Sequence, residues 1–315
     1  MKARTPRKSQ RTTVNCYAFF EKVFPACGLL DYSEGMYHGN PETPYEEAQQ
    51  NQLNYLLDEV TCDRDVRILE IGCGNGTLLE KIKHRGAIGI GITISPDQTL
   101  RCRKRGLDVR LLDYKDISDE WTDQFDAVIA NGPIEHFVQA SDATQNRADE
   151  IYHGLFEICH RVIDPKSPIC KFVNTTIHFI RRPDPAHLLR SPFAFRPFSD
   201  SFHYAFLNRS FGGFYPSVGQ LEACAQPFFE LKKTVDGTFD YHLTSEEWLR
   251  RIQRDLRSVK KLPAIFARSL PFLLRHPRQA AAMLTCMLVT QSWNWQFRSA
   301  NPPTTLLRQT WAYRQ

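Results

Sequence analysis

The sequence lacks a long hydrophobic run, paired cysteines and internal repeats. Its 315 residues begin with basic and polar residues, so the start of the chain does not resemble a secretory signal. The apolar stretch at residues 280–290 is too short to span a bilayer, and we expect a buried helix there. None of the nine cysteines forms a Cys-x-x-Cys pair or a zinc-like spacing with histidine, so we predict no metal site. These absences favour a globular protein of a reducing compartment, and we expect a cytoplasmic location.

The net charge of +5 is small, and much of its excess lies near the N-terminus. We interpret residues 1–30 as a basic tail and leading segment, and residues 31–315 as the main domain. A basic run with few apolar residues is typical of a solvated tail. The alternative is electrostatic contact with anionic lipid or nucleic acid. The basic residues of this run are Lys2, Arg4, Arg7, Lys8 and Arg11.

Short β-branched runs alternate with helical periods through the first half of the chain. This alternation predicts an α/β fold with a parallel sheet, apolar strands and helices on both faces. Two later runs complete a sheet of seven strands. The predicted strands are residues 66–71, 88–93, 109–112, 125–131, 169–175, 228–235 and 309–314.

The pattern changes after residue 175. Residues 177–216 are rich in proline, phenylalanine and arginine and show little periodicity, which predicts an inserted lid over the ligand edge of the sheet. Residues 241–300 are mainly helical in pattern, and we expect them to form a cap.

A glycine-rich loop, Gly72, Gly74 and Gly76, follows the first predicted strand directly. Such glycines let the backbone turn tightly and approach a ligand at a helix N-terminus. The spacing is Gly-x-Gly-x-Gly instead of the dinucleotide Gly-x-Gly-x-x-Gly, and Glu70 stands where it meets a cationic amino group. The second strand ends in Thr93 and neighbouring polar residues in place of the usual ribose-binding acid. These features favour S-adenosylmethionine over NAD as the cofactor.

Several further motifs resemble the cyclopropane-fatty-acid synthase family, which includes mycolic acid methyltransferases and some plant alkaloid N-methyltransferases. The similarity covers roughly residues 30–315, and it implies a Rossmann-like, class I methyltransferase fold. The motifs that carry it are Tyr32-Ser33-Glu34-Gly35-Met36-Tyr37, Glu46-Glu47-Ala48-Gln49, the stretch from Gly91 to Gln98, Asp113-Tyr114, Glu135-His136-Phe137, Tyr215-Pro216-Ser217-Val218, Asp240-Tyr241, Trp248, Phe297-Arg298 and Trp311.

The resemblance also implies a role for each matching position. It implies that Tyr32 and Ser33 contact the methionine end of the cofactor and that Gly72 and Gly74 line it. It further implies that Thr93, Ile94 and Gln98 hold the ribose, and that Asp113 and Tyr114 contact the adenine. Glu70 and Gly76 complete the predicted cofactor site. Glu135 and His136 follow the fourth predicted strand, where we expect a base for a protonated acceptor.

Lipid-modifying members of the family bind a bicarbonate ion that removes a proton, through a Cys, a Glu, a His and a Tyr. The resemblance implies that this chain keeps Glu135 and Tyr241 but has Glu34 in place of the Cys and Asn174 in place of the His. A carboxylate beside Glu135 should repel an anion and raise the pKa of one carboxyl. We therefore expect weak or absent bicarbonate binding, and simple methylation in preference to cyclopropane formation.

Two classes of acceptor fit these residues. An unsaturated lipid chain would suit the Phe-rich lid, with peripheral contact to a membrane. A small amine or phenol would suit the acidic pair Glu34 and Glu135. The choice between C- and N-methylation stays open, as does a catalytically silent binding protein. No nucleic-acid partner is expected, because Asn131-Gly132-Pro133-Ile134 stands where an Asn-Pro-Pro-Tyr-like motif would be. The lid residues concerned are Phe193, Phe195, Phe198, Phe202 and Phe206, with Arg181, Arg182, Arg190 and Arg196 near a phosphate head group.

Overall fold

A computed structural model describes residues 10–29 and 31–315. The predicted basic residues at positions 2, 4, 7 and 8 lie outside this range. Seven strands form one sheet in the order β3-β2-β1-β4-β5-β7-β6. β1 to β5 pair in parallel, whereas β7 runs antiparallel to both β5 and β6. The strands are β1 (Arg67–Ile71), β2 (Ile88–Thr93), β3 (Asp108–Leu111), β4 (Ala127–Asn131), β5 (Lys171–Phe179), β6 (Phe229–Asp236) and β7 (Thr304–Tyr313).

Helices flank the sheet on both faces, which confirms the predicted α/β class. They are α1 (Arg11–Val23), α2 (Tyr45–Glu59), α3 (Thr77–His84), α4 (Pro96–Lys104), α5 (Ala140–Ala143), α6 (Ala148–Val162), α7 (Pro185–Leu189), α8 (Asp200–Phe211), α9 (Gln220–Ala225), α10 (Thr238–Leu256), α11 (Leu262–Arg275), α12 (Pro277–Leu284) and α13 (Ser292–Arg298), with a π-helical turn at Thr285–Val289.

Alternate residues of the central strands pack into different cores. Ile68 and Val173 belong to the core beneath α2 and α3, whereas Leu69 and Phe172 belong to the core that includes α6. Because both faces of the sheet are covered, these strands are buried along nearly their whole length and present no face to solvent. The carboxyl ends of β1, β2 and β4 therefore form an edge at which loops are free to bind a ligand.

The leading segment is not simply a tail, since residues 11–23 form helix α1 and Arg11 is its first residue. Cys16, Phe19, Phe20 and Val23 are buried with the spacing of one helix face. The basic residues before this helix made the whole segment resemble a solvated tail and obscured the apolar stripe of α1. We therefore correct the assignment of Arg11 to the tail.

Residues 177–216 contain the end of β5, helices α7 and α8, and a 3₁₀ turn at Pro192–Ala194. α8 packs against α1, α12 and α13 and is buried on almost every side. A helix buried all round has no amphipathic period, which is why the sequence pattern did not reveal it. β5 also extends beyond residue 175, because it pairs with β7 as far as Phe179.

Residues 241–300 hold most of α10 and all of α11, α12 and α13. α12 and the π-helical turn occupy residues 277–289, where a buried helix was predicted; Met283 and Met287 are buried, but Val289 is exposed. Within the described residues, no helix is both long enough and apolar enough to cross a membrane.

Candidate active site

A cavity of about 420 Å³ opens at the carboxyl edge of the sheet. Its volume lies within the usual range for ligand pockets of proteins, roughly 300–1,000 Å³. Loops after β1, β2, β3 and β4 line it, together with residues 31–34, α1 and Tyr241. We call the part formed by residues 31–33, 70–75, 77–78, 93–95, 98 and 112–114 the glycine-loop half. The part around Glu34, Glu135, His136 and Tyr241 is the buried-carboxyl half.

The glycine loop is held against the end of β2. The backbone N–H groups of Gly72 and Cys73 both donate to the Ile92 carbonyl, at 2.9 and 3.0 Å. At Gly74, φ is +51°, and among the described residues no atom beyond Gly74 and its two chain neighbours lies within 4 Å of the position of an added Cβ. The backbone is therefore open towards the cavity. Gly76 does not line the cavity.

Our prediction for Gly76 therefore needs a correction. It precedes the first residue of α3 with φ of +77°, and a Cβ there would lie 2.7 Å from a Leu107 methyl carbon. A glycine is required at this position for close packing. That requirement gives the same sequence signal as contact with a ligand.

Glu70 and Asp31 are neighbouring acidic residues of the glycine-loop half. Glu70 is buried, and within residues 10–29 and 31–315 its Oε2 atom has no hydrogen-bond partner. Burial raises the pKa of Glu70 well above its usual range, and the nearby charge of Asp31 adds to this. A buried carboxylate oxygen facing a cavity fits a cationic amino group, which would supply the missing donor.

Ser33 is fixed by Asp31. The Asp31 Oδ1 atom accepts hydrogen bonds from the Ser33 backbone N–H at 2.8 Å and from its hydroxyl at 2.7 Å. Tyr32 lies within an aromatic group, with its ring centroid 6.1 Å from that of Tyr17 and 5.5 Å from that of Phe24. Tyr32 and Ser33 both line the cavity.

Polar side chains after β2 and β3 line the next part of the cavity. The Thr93 hydroxyl donates to Gln98 Oε1 at 2.8 Å, and Ile94 lines the cavity beside them. Asp113 accepts a hydrogen bond from Gln10 Nε2 at 2.7 Å. This series of hydroxyl, amide and carboxylate groups suits the ribose of a nucleoside.

An aromatic pair closes the glycine-loop half. The Tyr114 ring stacks on Phe137, with centroids 4.3 Å apart and an interplanar angle of 26°. Both rings line the cavity. Such a pair provides a flat apolar surface for a base.

Glu135 is the central group of the buried-carboxyl half. It lies in a 3₁₀ turn after β4, and its Oε1 atom accepts the Ile177 backbone N–H at 2.9 Å. Burial raises the pKa of Glu135 to about 8, the hydrogen bond from Ile177 opposes that rise, and the charge of Glu34 adds to it. The expected effect of Glu34 on a neighbouring carboxyl is thus present, although burial is the larger cause.

Two further predicted residues border Glu135. His136 Nε2 lies 3.1 Å from the Tyr17 hydroxyl, and burial lowers the pKa of His136 to about 4, so its ring is neutral at physiological pH. Burial also raises the pKa of Tyr241 well above its usual range, and the charges of Glu135 and Glu34 add to this. The Tyr241 ring stacks on Phe297 with centroids 4.5 Å apart.

Glu34 belongs to a buried network of charges. Its Oε1 atom accepts from Gln52 Nε2 at 2.6 Å and lies 3.8 Å from Nε of Arg308. Arg308 has 0% exposed side-chain surface and donates to Asp240 at 2.8 Å and to the Gly35 carbonyl at 2.9 Å. The pKa of Glu34 is raised by burial, and Arg308 opposes that rise.

The structure does not place Asn174 in the cavity. Its Oδ1 atom accepts from Trp311 Nε1 at 2.7 Å, and its amide donates to Thr176. The neighbouring Thr175 instead donates to Asn131, which lines the cavity. Side chains alternate between the faces of a strand, so Asn174 and Thr175 point to opposite faces of β5.

The predicted lid is also wrong as a cover for the ligand edge. Within the described part of the chain, no residue from 177 to 216 lines the cavity. Phe202 and Phe206 are buried in the helical core, whereas Phe193 and Phe198 are exposed. None of the four arginines predicted for this segment lines the cavity. Arg181 contacts Asp200, Arg182 contacts Phe214 and Arg190 contacts Phe195, whereas Arg196 is exposed.

Three site residues were missed. Tyr17 forms part of the wall that the lid was expected to supply, and Asp31 adds the second acid beside Glu70. Arg308 lies behind the cavity and pairs with both Glu34 and Asp240. Asp31 adjoins a recognised motif, so its position was a usable signal. Arg308 lies in β7 and belongs to none of the recognised motifs, so the sequence offered no signal for it.

The sheet order, with an antiparallel seventh strand and a glycine loop after the first, is that of class I S-adenosylmethionine-dependent methyltransferases. Within that class, the chain belongs to the family described as mycolic acid cyclopropane synthetase, whose model matches residues 17–269. The family predicted from the motifs is therefore confirmed.

Curated relatives match part of this sequence. Cyclopropane-fatty-acyl-phospholipid synthase of Escherichia coli (strain K12) is 26% identical over 211 residues, which are 65% of this chain and 47% of that enzyme. Hydroxymycolate synthase MmaA4 of Mycobacterium tuberculosis is 26% identical over 136 residues, 40% of each chain. The chain thus spans about half the length of the Escherichia coli relative.

Solved structures are similar over nearly the whole chain. The cyclopropane synthase MmaA2 of Mycobacterium tuberculosis has a TM-score of 0.68 at 16% identity, covering 98% of this chain and 99% of that one. Coclaurine N-methyltransferase, bound to N-methylheliamine and S-adenosylhomocysteine, has a TM-score of 0.68 at 15% identity, covering 99% and 84%. At these identities the likeness shows the shared fold.

Proposed function

We propose that this protein transfers a methyl group from S-adenosylmethionine to a lipid or small-molecule acceptor. The observation that carries the proposal is that one cavity contains both an unsatisfied acidic group, Glu70, and a buried carboxyl of raised pKa, Glu135. Family membership supports it, as does the S-adenosylhomocysteine bound to coclaurine N-methyltransferase. The methionine end of the cofactor would lie at Glu70 and Asp31, the ribose at Thr93 and Gln98, and the adenine near the Tyr114 ring.

Bound S-adenosylmethionine supplies an electrophilic methyl group on a cationic sulfur. The protein's own residues orient the acceptor and remove its proton. Ionised Glu135 would accept one proton from the acceptor as the acceptor's bond to the methyl carbon forms, while the electron pair of the broken sulfur–carbon bond would stay with the sulfur. Tyr17, Tyr32 and Tyr241 surround the site and keep water from it. His136 is neutral and holds the Tyr17 hydroxyl.

We propose simple C- or N-methylation in preference to cyclopropane formation. Glu34 places a second carboxylate near Glu135. Contacts with Gln52 and Arg308 hold the Glu34 carboxylate in position. Two acidic groups do not favour a bicarbonate ion, whereas they do favour a cationic amine. The alternative, cyclopropane formation on an unsaturated acyl chain, follows the name of the Escherichia coli relative. An unsaturated lipid acceptor remains compatible with either product, and it would bring peripheral contact with a membrane.

Labelled transfer to natural extracts tests the proposal. The protein is incubated with S-adenosylmethionine carrying a labelled methyl group and with separate lipid and polar fractions. We expect label in one fraction, and nuclear magnetic resonance of the purified product should show a methyl signal without cyclopropane ring protons. Ring protons would support the cyclopropane alternative. Cofactor binding without label in any fraction would overturn the transfer activity and support a silent binding protein.

A further inference from the structure

Helix α11 exposes an unusually apolar face. Leu262, Phe266, Leu270 and Leu274 are spaced four residues apart, and all are exposed, Phe266 at 55% and Leu274 at 74%. Only Ile265, Ser269 and Phe272 of this 14-residue helix are buried. Residues four apart lie on one side of a helix, so the exposed side chains form a continuous stripe. An exposed apolar stripe of this kind marks an interaction surface.

The charge around this stripe has one sign. The sequence contains no Asp or Glu after Asp255, a span of sixty residues. At the start of α11, Lys261 Nζ lies 2.7 Å from Oδ2 of the buried Asp255, which is the last acidic residue of the sequence. Within and beside α11 are several cations in all. They are Arg257, Lys260, Lys261, Arg268, Arg275 and Arg278.

We infer that α11 lies in the head-group region of an anionic lipid bilayer, with its apolar stripe entering the acyl boundary. An apolar face bordered by Lys and Arg is the signature of a helix that lies in the plane of a membrane interface. Each cation near such a surface adds attraction to anionic lipids. A second copy of the chain fits less well, because two identical basic surfaces would repel each other.

The buried side of α11 connects this surface to the cavity. Phe272 packs on Phe19 of α1, with ring centroids 5.2 Å apart. α1 also supplies Thr13, Val14 and Tyr17 to the cavity wall. A protein adsorbed through α11 would thus hold the wall of its cavity close to the bilayer. Any role of this adsorption in methylating a lipid acceptor rests on the proposed function. The adsorption itself does not require a reaction.

Vesicle flotation tests the surface. Wild-type protein is mixed with vesicles of phosphatidylcholine alone or of phosphatidylcholine with phosphatidylglycerol, and the bound fraction is measured against lipid concentration. We expect binding to the anionic vesicles and weaker binding as salt is added. The double variant Phe266→Ser/Leu274→Ser should bind at least about tenfold more weakly, because two large apolar side chains no longer enter the lipid.

The matched control is Leu100→Ser, which removes an apolar side chain of similar exposure, 56%, on α4. It should bind like the wild type. Retained S-adenosylmethionine binding by the double variant shows that it is folded. The inference is overturned if the wild type does not float with anionic vesicles, or if the double variant floats equally well. It is also overturned if the double substitution changes only the oligomeric state. Labelled transfer to a water-soluble acceptor without flotation would leave the proposed function standing.

Discussion

The two halves of the cavity are assembled from different ranges of the chain. In the glycine-loop half, several partners are close in sequence, although Gln10 and Asp113 are 103 residues apart. Thr93 bonds Gln98, five residues away, and Asp31 bonds Ser33, two residues away. In the buried-carboxyl half, Arg308 contacts the carbonyl of a residue 273 positions away. Local turns therefore set the shape of the first half, whereas the second half exists only when the whole sheet is complete.

The halves also differ in how their charges are held. Among the residues that the structure describes, one carboxylate oxygen of Glu70 has no hydrogen-bond partner and is available to a ligand. In the other half, Glu34 and Asp240 share the fully buried Arg308. Buried charges are costly to desolvate and depend on their partners. Substitutions in the first half should thus affect binding, and those in the second should affect chemistry or folding.

The largest expected effect is on turnover. Glu135→Gln removes the proton acceptor without changing the shape of the side chain, so we expect methyl transfer to fall by about 100- to 10,000-fold, the usual contribution of a general base. Initial rates of labelled methyl transfer measure it. Glu157→Gln, the same change at an exposed position of α6, is the control and should keep the wild-type rate. An active Glu135→Gln variant would remove the distinction between the halves.

The next effect is on stability. Arg308→Met leaves Glu34 and Asp240 without their buried cation, and breaking a buried ion pair in this way costs about 3–5 kcal/mol of unfolding free energy. Urea denaturation at equilibrium measures the loss. The control is Arg110→Met, which breaks an exposed pair with Asp108 and should cost at most about 1 kcal/mol. Equal losses in the two variants would show that the buried network has no special weight.

The smallest effect concerns pH. Glu135 must be ionised to accept a proton, and its pKa is raised to about 8. The value of kcat/KM for S-adenosylmethionine should therefore rise about tenfold per pH unit below that pKa and level off above it. His136, with a pKa of about 4, adds no step near neutrality. A profile that is flat between pH 6 and 9 would exclude Glu135 as the base.

Local patterns predicted the sheet and most of the glycine-loop half. β1 to β4 agree with the predicted runs to within about two residues, because apolar strands between helices are distinctive. Gly76 was misjudged because glycine is required both for ligand approach and for helix packing. A sequence does not separate these causes when they occur in one loop.

Long-range contacts explain what could not be predicted. Arg308 is an ordinary strand residue until the fold brings it to Glu34, and the Asn174 side chain bonds Trp311 of β7 instead of facing the cavity. The uniform burial of α8 removed the period that would have revealed it. In each case the signal depended on packing between distant segments.

The affinity of the two carboxyl variants for S-adenosylmethionine tests the account most directly. Isothermal titration of the wild type, Glu70→Gln and Glu135→Gln would compare one residue from each half under the same conditions. Glu70→Gln loses a charge-assisted contact worth about 1.5–3 kcal/mol, so it should bind roughly 10- to 100-fold more weakly. Glu135→Gln should bind almost like the wild type. Wild-type affinity in Glu70→Gln, or an equal loss in both variants, would contradict the division of the cavity into a binding half and a reacting half.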